Sequence, residues 1–160
     1  MRIVQCQPSQ NLKEIEDLKE AALKDANAFD KNDKEDNYTD FEYFLLGKIK
    51  EKTVATAAYR KPKGDVAKNL NLKEKTAELK NMHIHPNHQR KGYGTKLLEK
   101  IENKARKENF SKIALRTTNI QEKAHKFYQS NGYTEIKRID PDYKNINYNL
   151  VFFNKKLKTL

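Results

Sequence analysis

The sequence predicts a fold of the α+β class, with one twisted mixed β-sheet of six to seven strands and about four helices. Short apolar runs with period-two alternation indicate the strands, and runs with helical spacing separate them in the second half of the chain. Because no repeat and no linker rich in Pro, Gly or Ser divides the 160 residues, we expect a single domain over 1–160.

The first half of the chain supplies three predicted strands and one helix. Residues 2–6 form a short strand, and residues 41–50 and 53–61 form two strands joined by a turn near Glu51. Residues 10–26 form a helix. Its apolar side consists of Leu12, Ile15, Leu18 and Leu23.

Two polar segments interrupt these elements. Residues 30–40 are acidic and predict a loop or a poorly buried helix, and residues 61–75 predict a polar connection. The second half then alternates strands and helices. The predicted strands are 76–85, 111–118, 133–139 and 146–157.

Two helices lie between these later strands. The first places Leu97, Leu98, Ile101 and Ala105 towards the core and ends at Asn109, a residue suited to a left-handed cap. The second begins at Asn119, which stands three residues before Glu122 as in a capping box. It ends at Asn131 and Gly132, a typical helix stop.

The fourth strand contains an irregularity. Leu79 and Met82 are an odd number of residues apart, so strict alternation would place them on opposite faces of the sheet. One extra residue near Lys80 and Asn81 would return both to the core face, as in a β-bulge. A bulge leaves backbone groups unpaired and can separate two neighbouring strands, which opens a slot in the sheet.

Composition restricts the function classes. The net charge is +11, which favours an anionic partner such as nucleic acid, an anionic membrane or a phosphorylated small molecule. The single cysteine, Cys6, excludes an internal disulfide framework, and no segment has the length or apolarity of a signal peptide or a membrane span. We therefore expect a cytoplasmic protein without a membrane partner.

The stretch HPNHQRKGYGTKLL, residues 85–98, indicates an anion site. Two glycines and several cations precede a helix, whose first N–H groups lack internal partners. A Walker A loop is excluded because no Gly lies four residues before a Gly-Lys-Ser/Thr triplet, and a dinucleotide fingerprint is excluded because Leu97 replaces its third glycine. The pattern Gln/Arg-x-x-Gly-x-Gly/Ala fits Gln89–Gly94.

Residues 76–137 resemble the GNAT superfamily of N-acetyltransferases. AELKNMHIHPNHQRKGYGTKLL is similar to the family's fourth strand, loop and third helix, and TTNIQEKAHKFYQSNGYTEI is similar to the end of its fifth strand, its fourth helix and the following strand. The resemblance implies a GNAT-like domain that uses acetyl-CoA to acetylate a primary amine. The β-bulge in strand four is also a feature of this family.

The resemblance implies a set of residues that bind the co-substrate. Backbone groups of Met82, His83 and Ile84 would pair with the pantetheine arm as a strand does. A backbone N–H at the bulge would steady the thioester carbonyl. Asn119 and Phe127 would contact the arm and the cofactor, although a helix cap and ordinary core packing are open alternatives. The pyrophosphate would be held by Gln89, Arg90, Lys91, Gly92, Tyr93, Gly94 and Thr95.

Two residues are the catalytic candidates. Tyr128 follows Phe127 in the second motif, and a phenol of pKa ~10 can protonate a departing thiolate of pKa ~8.5. The alternative for Tyr128 is a core tyrosine. Glu78 precedes Met82 by four residues and could bind the ammonium of the acceptor or relay its proton through water. The alternative for Glu78 is an exposed strand charge.

Other partners and functions receive less support from the sequence. His83, His85 and His88 form no ligand set with a Cys or Asp, so we expect no metal. Nucleic-acid binding is disfavoured because the basic residues are interleaved with 22 acidic residues. Two alternatives to the enzyme stay open: a nucleic-acid-binding domain, and a GNAT-like protein that binds acetyl-CoA without catalysis. The sequence determines neither the acceptor nor whether the chain forms a homodimer.

Overall fold

The structure of the protein is a computed structural model that describes residues 1–29, 38–140 and 148–158. One sheet of seven strands and four α-helices account for these residues, so the predicted α+β fold is confirmed. The helices are α1 (Leu12–Asp25), α2 (Gly64–Asn69), α3 (Tyr93–Lys107) and α4 (Glu122–Ser130). The strands are β1 (Arg2–Gln5), β2 (Tyr43–Ile49), β3 (Lys52–Arg60), β4 (Thr76–Ile84), β5 (Lys112–Thr118), β6 (Thr134–Ile139) and β7 (Leu150–Lys156).

The strand order is β1-β2-β3-β4-β5-β7-β6. All neighbouring strands are antiparallel except β4 and β5, which run parallel at the centre of the sheet. A parallel pair needs a crossover, and α3 supplies it. The central pair is therefore the one place where the two halves of the sheet join.

The helices cover both faces of the sheet. One face packs against α3 and α4 in the largest apolar cluster, which contains Leu97, Ile101 and Tyr128. On the other face, Ile15 of α1 packs against β2 and β3, and Val66 of α2 packs against β5 and β7. Burial of these apolar side chains, at roughly 25 cal/mol per Å², is the main term that holds the helices to the sheet.

Turns and caps follow the sequence signals. Lys50 and Glu51 both have positive φ in the two-residue turn between β2 and β3, which suits the twist of a hairpin. Asn109, with φ of 62°, ends α3, and the N–H of Phe110 donates to the Ala105 carbonyl. Gly132, with φ of 85°, ends α4 as predicted.

The structure differs from the expectations in three places. Leu12 is exposed because it lies in the first turn of α1, ahead of the part that meets the sheet. The predicted connection 61–75 contains α2, which is too short for a helical pattern to show but buries Val66. Asn119 does not cap α4; Gln121 occupies that position, and its side chain accepts no hydrogen bond from the first turn of the helix.

Parts of two predicted elements, residues 30–37 and 146–147, lie outside the described residues. None of the helices in the described ranges combines the length and apolarity that a bilayer crossing requires.

The β-bulge of strand four is present where the sequence predicts it. The register with β3 shifts between Thr56 and Ala58, where the β4 partners change from His83 to Lys80. Asn81 takes a positive φ of 50° inside the strand. As a result Leu79 and Met82 both contact the cluster under α3.

Candidate active site

A slot opens in the sheet where β4 and β5 separate. The two strands pair only at three positions, the last of which joins Glu78 to Ala114. Beyond this point β4 continues to Ile84 along β3, and β5 continues to Thr118 along β7. We use "slot" for the opening between residues 79–84 and 115–118, whose facing backbone edges have no strand between them.

Alternation along β4 decides which backbone groups face the slot. The N–H of His85 donates to Val54 of β3, and His83 is the register partner of Thr56. The backbone groups of His83 therefore face β3, which corrects the prediction that they meet the pantetheine arm. Those of Met82 and Ile84 face the slot by the same alternation.

Unsatisfied polar atoms are concentrated around the slot. Among the described residues, only four fully buried side-chain nitrogen or oxygen atoms have no hydrogen-bond partner. They are both amide atoms of Asn81, Nδ1 of His88 and Oγ1 of Thr118. Asn81 lies in the bulge, Thr118 ends β5, and His88 precedes α3. Native proteins leave few such groups, and those that remain tend to mark functional sites.

An amide cradle lies where β4 leads into α3. We define it as residues 90–95, whose six consecutive N–H groups donate to no acceptor in the described ranges. Arg90 and Gly92 have left-handed φ values of 59° and 75°, a backbone pattern that turns neighbouring amides towards one point. No side chain caps α3, so its positive dipole end stays available to an anion.

The two glycines of the cradle serve different purposes. A Cβ on Gly92 would meet no atom within 4 Å, so the left-handed φ is what favours glycine there. A Cβ on Gly94 would lie 3.0 Å from Cε2 of Phe127 and 3.4 Å from Cε of Met82. Gly94 therefore permits α4 and β4 to approach the start of α3, in addition to the predicted room for phosphate.

The predicted co-substrate residues converge at the end of the slot beside the cradle. Phe127 and Met82 both approach Gly94, and Nε2 of Gln89 donates to the Ile84 carbonyl at 3.3 Å. Gln89 also lies 3.5 Å from a carboxylate oxygen of Asp25 at the end of α1. Of the remaining predicted residues, Arg90, Lys91, Tyr93 and Thr95 lie in the cradle itself. This arrangement fits a pyrophosphate at the cradle with an attached arm along β4.

Tyr128 lies in the core beside the slot. Its ring packs against Phe127, Tyr133 and Phe153, with centroids 5.4 to 6.0 Å apart. Burial raises the pKa of the Tyr128 phenol well above its usual range, so the group stays protonated. Its hydroxyl makes no hydrogen bond within the described ranges.

Glu78 lies at the closed end of the slot, on the face covered by α1 and α2. Its carboxylate is bound by the Arg60 fork, with Nε at 2.9 Å and Nη2 at 3.3 Å, and by the Lys63 N–H at 3.0 Å. Only 4% of the residue is exposed, so the alternative of an exposed strand charge is wrong. Direct proton abstraction would compete with these three donors, which favours a route through water.

Asn119 joins the end of β5 to β7. Its N–H donates to the Asn149 carbonyl at 3.0 Å, and its Oδ1 accepts from the Asn149 N–H at 2.7 Å. The side chain therefore fixes the wall of the slot, and its Nδ2 group remains for the predicted contact. His125 reinforces the same wall through a 2.8 Å contact between Nε2 and the Thr118 carbonyl.

The histidines form no metal site within the described ranges. His85 accepts the Asn87 N–H at Nδ1, which is the geometry of a turn and not of a ligand set. Burial lowers the pKa of His88, and the nearby Lys91 and His85 lower it further. His88 is therefore neutral at pH 7, next to the cradle.

The sequence indicates no role for two residues of the site, Arg60 and Arg116. The first pairs with Glu78, and the second lies on β5. Asn81, by contrast, occupies the bulge that the sequence predicts near it, and asparagine tolerates the positive φ found there. The arginines gave no signal, because only the strand register brings them to the slot.

Comparisons with known proteins agree with this geometry. The chain is similar to an acetyltransferase of Staphylococcus aureus (21% identity, TM-score 0.75, 98% of this chain and 99% of that one). It is also similar to a ribosomal-protein-alanine N-acetyltransferase of Brucella melitensis (15%, 0.74, 98% and 100%). A third similar structure, from Bacillus anthracis, is an acetyltransferase in complex with acetyl coenzyme A (17%, 0.62, 74% and 64%).

No protein of curated function matches the chain in sequence. The model of the acetyltransferase (GNAT) family, however, matches residues 10–133 and so includes the slot, the cradle and Tyr128. With more than half of its length matched, the chain belongs to the GNAT family of acetyltransferases.

Proposed function

We propose that the protein transfers an acetyl group from acetyl-CoA to a primary amine of a small molecule, peptide or protein, by direct attack in a ternary complex. The observation that carries the proposal is the amide cradle of residues 90–95 beside the slot. Six unpaired amides suit a pyrophosphate, and an open strand edge suits an amide-containing arm. The names of structurally similar proteins include a protein-alanine acceptor, which supports the inclusion of protein amines.

Direct attack is favoured over an acyl-enzyme because the chain lacks a cysteine at the slot. Its one cysteine, Cys6, follows β1, three strands away from β4. Burial raises the pKa of the Cys6 thiol, and a thiol of this kind is a poor nucleophile. When bound, acetyl-CoA supplies the activated acetyl group; the C–S bond breaks as the C–N bond forms.

Tyr128 is proposed to give its proton to the departing sulfur. The phenol is kept protonated by burial, and its hydroxyl has no hydrogen bond within the described ranges. The proton would move to the sulfur as the C–S bond breaks, so that CoA leaves as a thiol, and the tyrosinate left behind would regain a proton from water before the next turnover. A backbone N–H at the bulge would stabilise the carbonyl oxygen as negative charge develops.

Glu78 is proposed to receive the proton of the attacking amine through water. It lies at the closed end of the slot, and its carboxylate is held in place by Arg60 and Lys63. An amine arrives protonated at pH 7, since its pKa is about 8 to 10.4, and must lose that proton to attack. The amine would therefore enter from the face covered by α1 and α2.

Binding of CoA to wild type and to Gly92→Asp tests the cradle. In wild type, ligand at about 100 times its Kd should stabilise the fold by about 2.7 kcal/mol. An aspartate at residue 92 adds negative charge where the side chain has open space, so the stabilisation should disappear. Thermal melts and calorimetry with CoA and acetyl-CoA measure this.

Gly64→Asp is the matched control. Gly64 also has a positive φ with no atom within 4 Å of its Cβ, but it lies in α2 on the other face of the sheet. Its variant should pay the same backbone cost and still gain stability from CoA. Equal stabilisation of all three proteins would refute the cradle as the binding site.

A further inference from the structure

Charged side chains line the face of the slot that α1 and α2 cover, and some of them have no role in the proposed reaction. Glu78 pairs with Ala114 in register, so residues two positions further along each strand flank the slot on this same face. These residues are Lys80 on β4 and Arg116 on β5. Two cations therefore stand on opposite walls, just beyond the acid at the closed end.

Arg116 is held as an anion receptor would be. Its Nη1 donates to Oδ2 of Asp65 at 3.0 Å, which anchors the guanidinium to α2. Its Nε and Nη2 groups make no hydrogen bond within the described ranges, and 35% of the side chain is exposed. The guanidinium is thus oriented by Asp65, and one edge of its fork remains for a second anion.

The Arg60–Glu78 pair differs from this arrangement. The Arg60 guanidinium donates two hydrogen bonds to Glu78, and its side chain is only 13% exposed. It therefore has little capacity to bind a ligand. Glu78 in turn is neutralised by Arg60. Arg116 therefore offers the donor groups on this face that neither Asp65 nor Glu78 occupies.

We infer that the mouth of the slot contains an anion subsite at Arg116, and that the preferred acceptors are primary amines with a carboxylate or a phosphonate-like group a few bonds from the nitrogen. This inference rests on the proposed function and names the class of its acceptor. Polycationic amines are the class that the Arg116 guanidinium disfavours.

The separation of the charged groups sets the size of the acceptor. The Cα atoms of Glu78 and Arg116 are roughly 8 Å apart, from a strand spacing of about 4.8 Å and two residues of rise. Both side chains are long enough to bring their ends nearer than this. The amine and the anion of the acceptor are therefore expected to be about three to five bonds apart.

Matched pairs of amines test the subsite. We would compare β-alanine and 4-aminobutyrate with their amides, which keep the amine but lose the charge, and include 2-aminoethylphosphonate to separate phosphonate from carboxylate recognition. The readouts are CoA release, and the additional melting shift that each amine causes in the CoA complex. We expect kcat/KM for the acids to exceed that for the amides by about 10-fold, the size of one charge-assisted hydrogen bond at a partly exposed site.

Arg116→Gln should reduce this ratio to about one, and Asp65→Asn should reduce it in part by releasing the guanidinium. Arg138→Gln is the control: Arg138 also binds a carboxylate, that of Glu135, but lies on β6 at the edge of the sheet. Its variant should keep the wild-type ratio. The preference should also weaken in 0.5 M salt.

Equal use of acids and amides by wild type, or a ratio that survives Arg116→Gln, would overturn the anion subsite. Failure of every amine to release CoA would instead overturn the proposed function. In that event the melting shifts still decide the subsite, because they require binding and no turnover. An acid-specific shift that disappears in Arg116→Gln would support it.

Discussion

The two sides of the slot offer different groups to a ligand. On the side of α3 and α4, the proposed receptor is the backbone: the six consecutive N–H groups of residues 90–95 donate to no acceptor within the described ranges. On the side of α1 and α2, the proposed receptor consists of side chains, which form ion pairs such as Arg60–Glu78 and Arg116–Asp65. The slot connects the two sides, and Glu78 marks its closed end.

This difference distinguishes a backbone site, whose ligand stays the same when side chains change, from a side-chain site, whose ligand can change with them. Backbone amides bind a phosphate whatever the neighbouring side chains are, provided that glycine and a left-handed turn are kept. Side-chain charges can be exchanged one at a time, because each depends on one partner. The α3/α4 side therefore suits a fixed co-substrate, and the α1/α2 side suits a specific acceptor.

The largest effect is expected at the boundary between the two sides, for Tyr128→Phe. The change removes one hydroxyl that has no hydrogen bond within the described ranges, so folding and CoA affinity should survive. A general acid contributes about 10²–10⁴ in rate, and kcat should fall by that amount. Steady-state kinetics with one active amine, beside CoA binding, measures this.

Tyr133→Phe is the matched control for Tyr128. Tyr133 is also buried, its ring lies 5.8 Å from that of Tyr128, and its hydroxyl donates to Glu102 at 3.2 Å. Loss of that hydrogen bond should cost about 1 kcal/mol of stability and leave kcat unchanged. An undiminished kcat in Tyr128→Phe would reduce this tyrosine to core packing.

The sequence predicted the side of the slot that uses backbone. Glycines, a helix start and a broken alternation at Leu79 and Met82 are local signals, and they located the cradle and the bulge. The prediction for His83 needed more than local sequence. Whether its backbone groups face β3 or the slot depends on the register between β3 and β4, which the sequence does not define.

The sequence could not predict the other side. Arg60, Glu78 and Arg116 lie up to 56 positions apart in the chain and meet only through the register of β3, β4 and β5. A charged residue on a strand has the same local pattern whether it faces solvent or a buried partner. The burial of Glu78 and its pairing with Arg60 therefore needed the structure.

Glu78→Gln is expected to have the next largest effect on rate. Its carboxylate already binds three donors and is proposed to act through water, so the loss at pH 7 should be of order 10-fold, below the usual range for a general base. The deficit should be largest at low pH, where the amine is protonated, and should shrink as pH approaches the amine pKa. A profile of kcat/KM against pH measures this.

Arg60→Gln distinguishes a proton-transfer role of Glu78 from a structural role of the Arg60–Glu78 ion pair. Either single variant leaves one buried charge without its partner, which costs on the order of 3–5 kcal/mol of stability, whereas the double variant should recover part of that loss. Only Glu78→Gln should change the pH profile. If both variants shift the profile alike, Glu78 acts by holding the closed end of the slot and not by moving a proton.

The smallest predicted effect concerns His88, the one titrating group next to the backbone cradle whose pKa is lowered. Burial, Lys91 and His85 all disfavour the charged imidazole, so the pKa of His88 is lower in the folded protein than its unfolded value of about 6.5. In the ligand-free protein, His88 therefore contributes stability that is present above the unfolded pKa and is lost as pH falls through the folded pKa. An anion in the cradle offsets Lys91 and favours the charged form. Binding of CoA should therefore take up a fraction of a proton near pH 6.

The measurable consequence is that CoA affinity rises at most about threefold between pH 8 and pH 6 relative to His88→Gln, which corresponds to a pKa increase of about half a unit on binding. CoA phosphates titrate in the same range, but they do so equally in both proteins, so the difference between them isolates the imidazole. Calorimetry in two buffers of different ionisation enthalpy gives the proton count directly. Identical pH dependence of the two proteins would show that the cradle binds its anion through backbone groups alone.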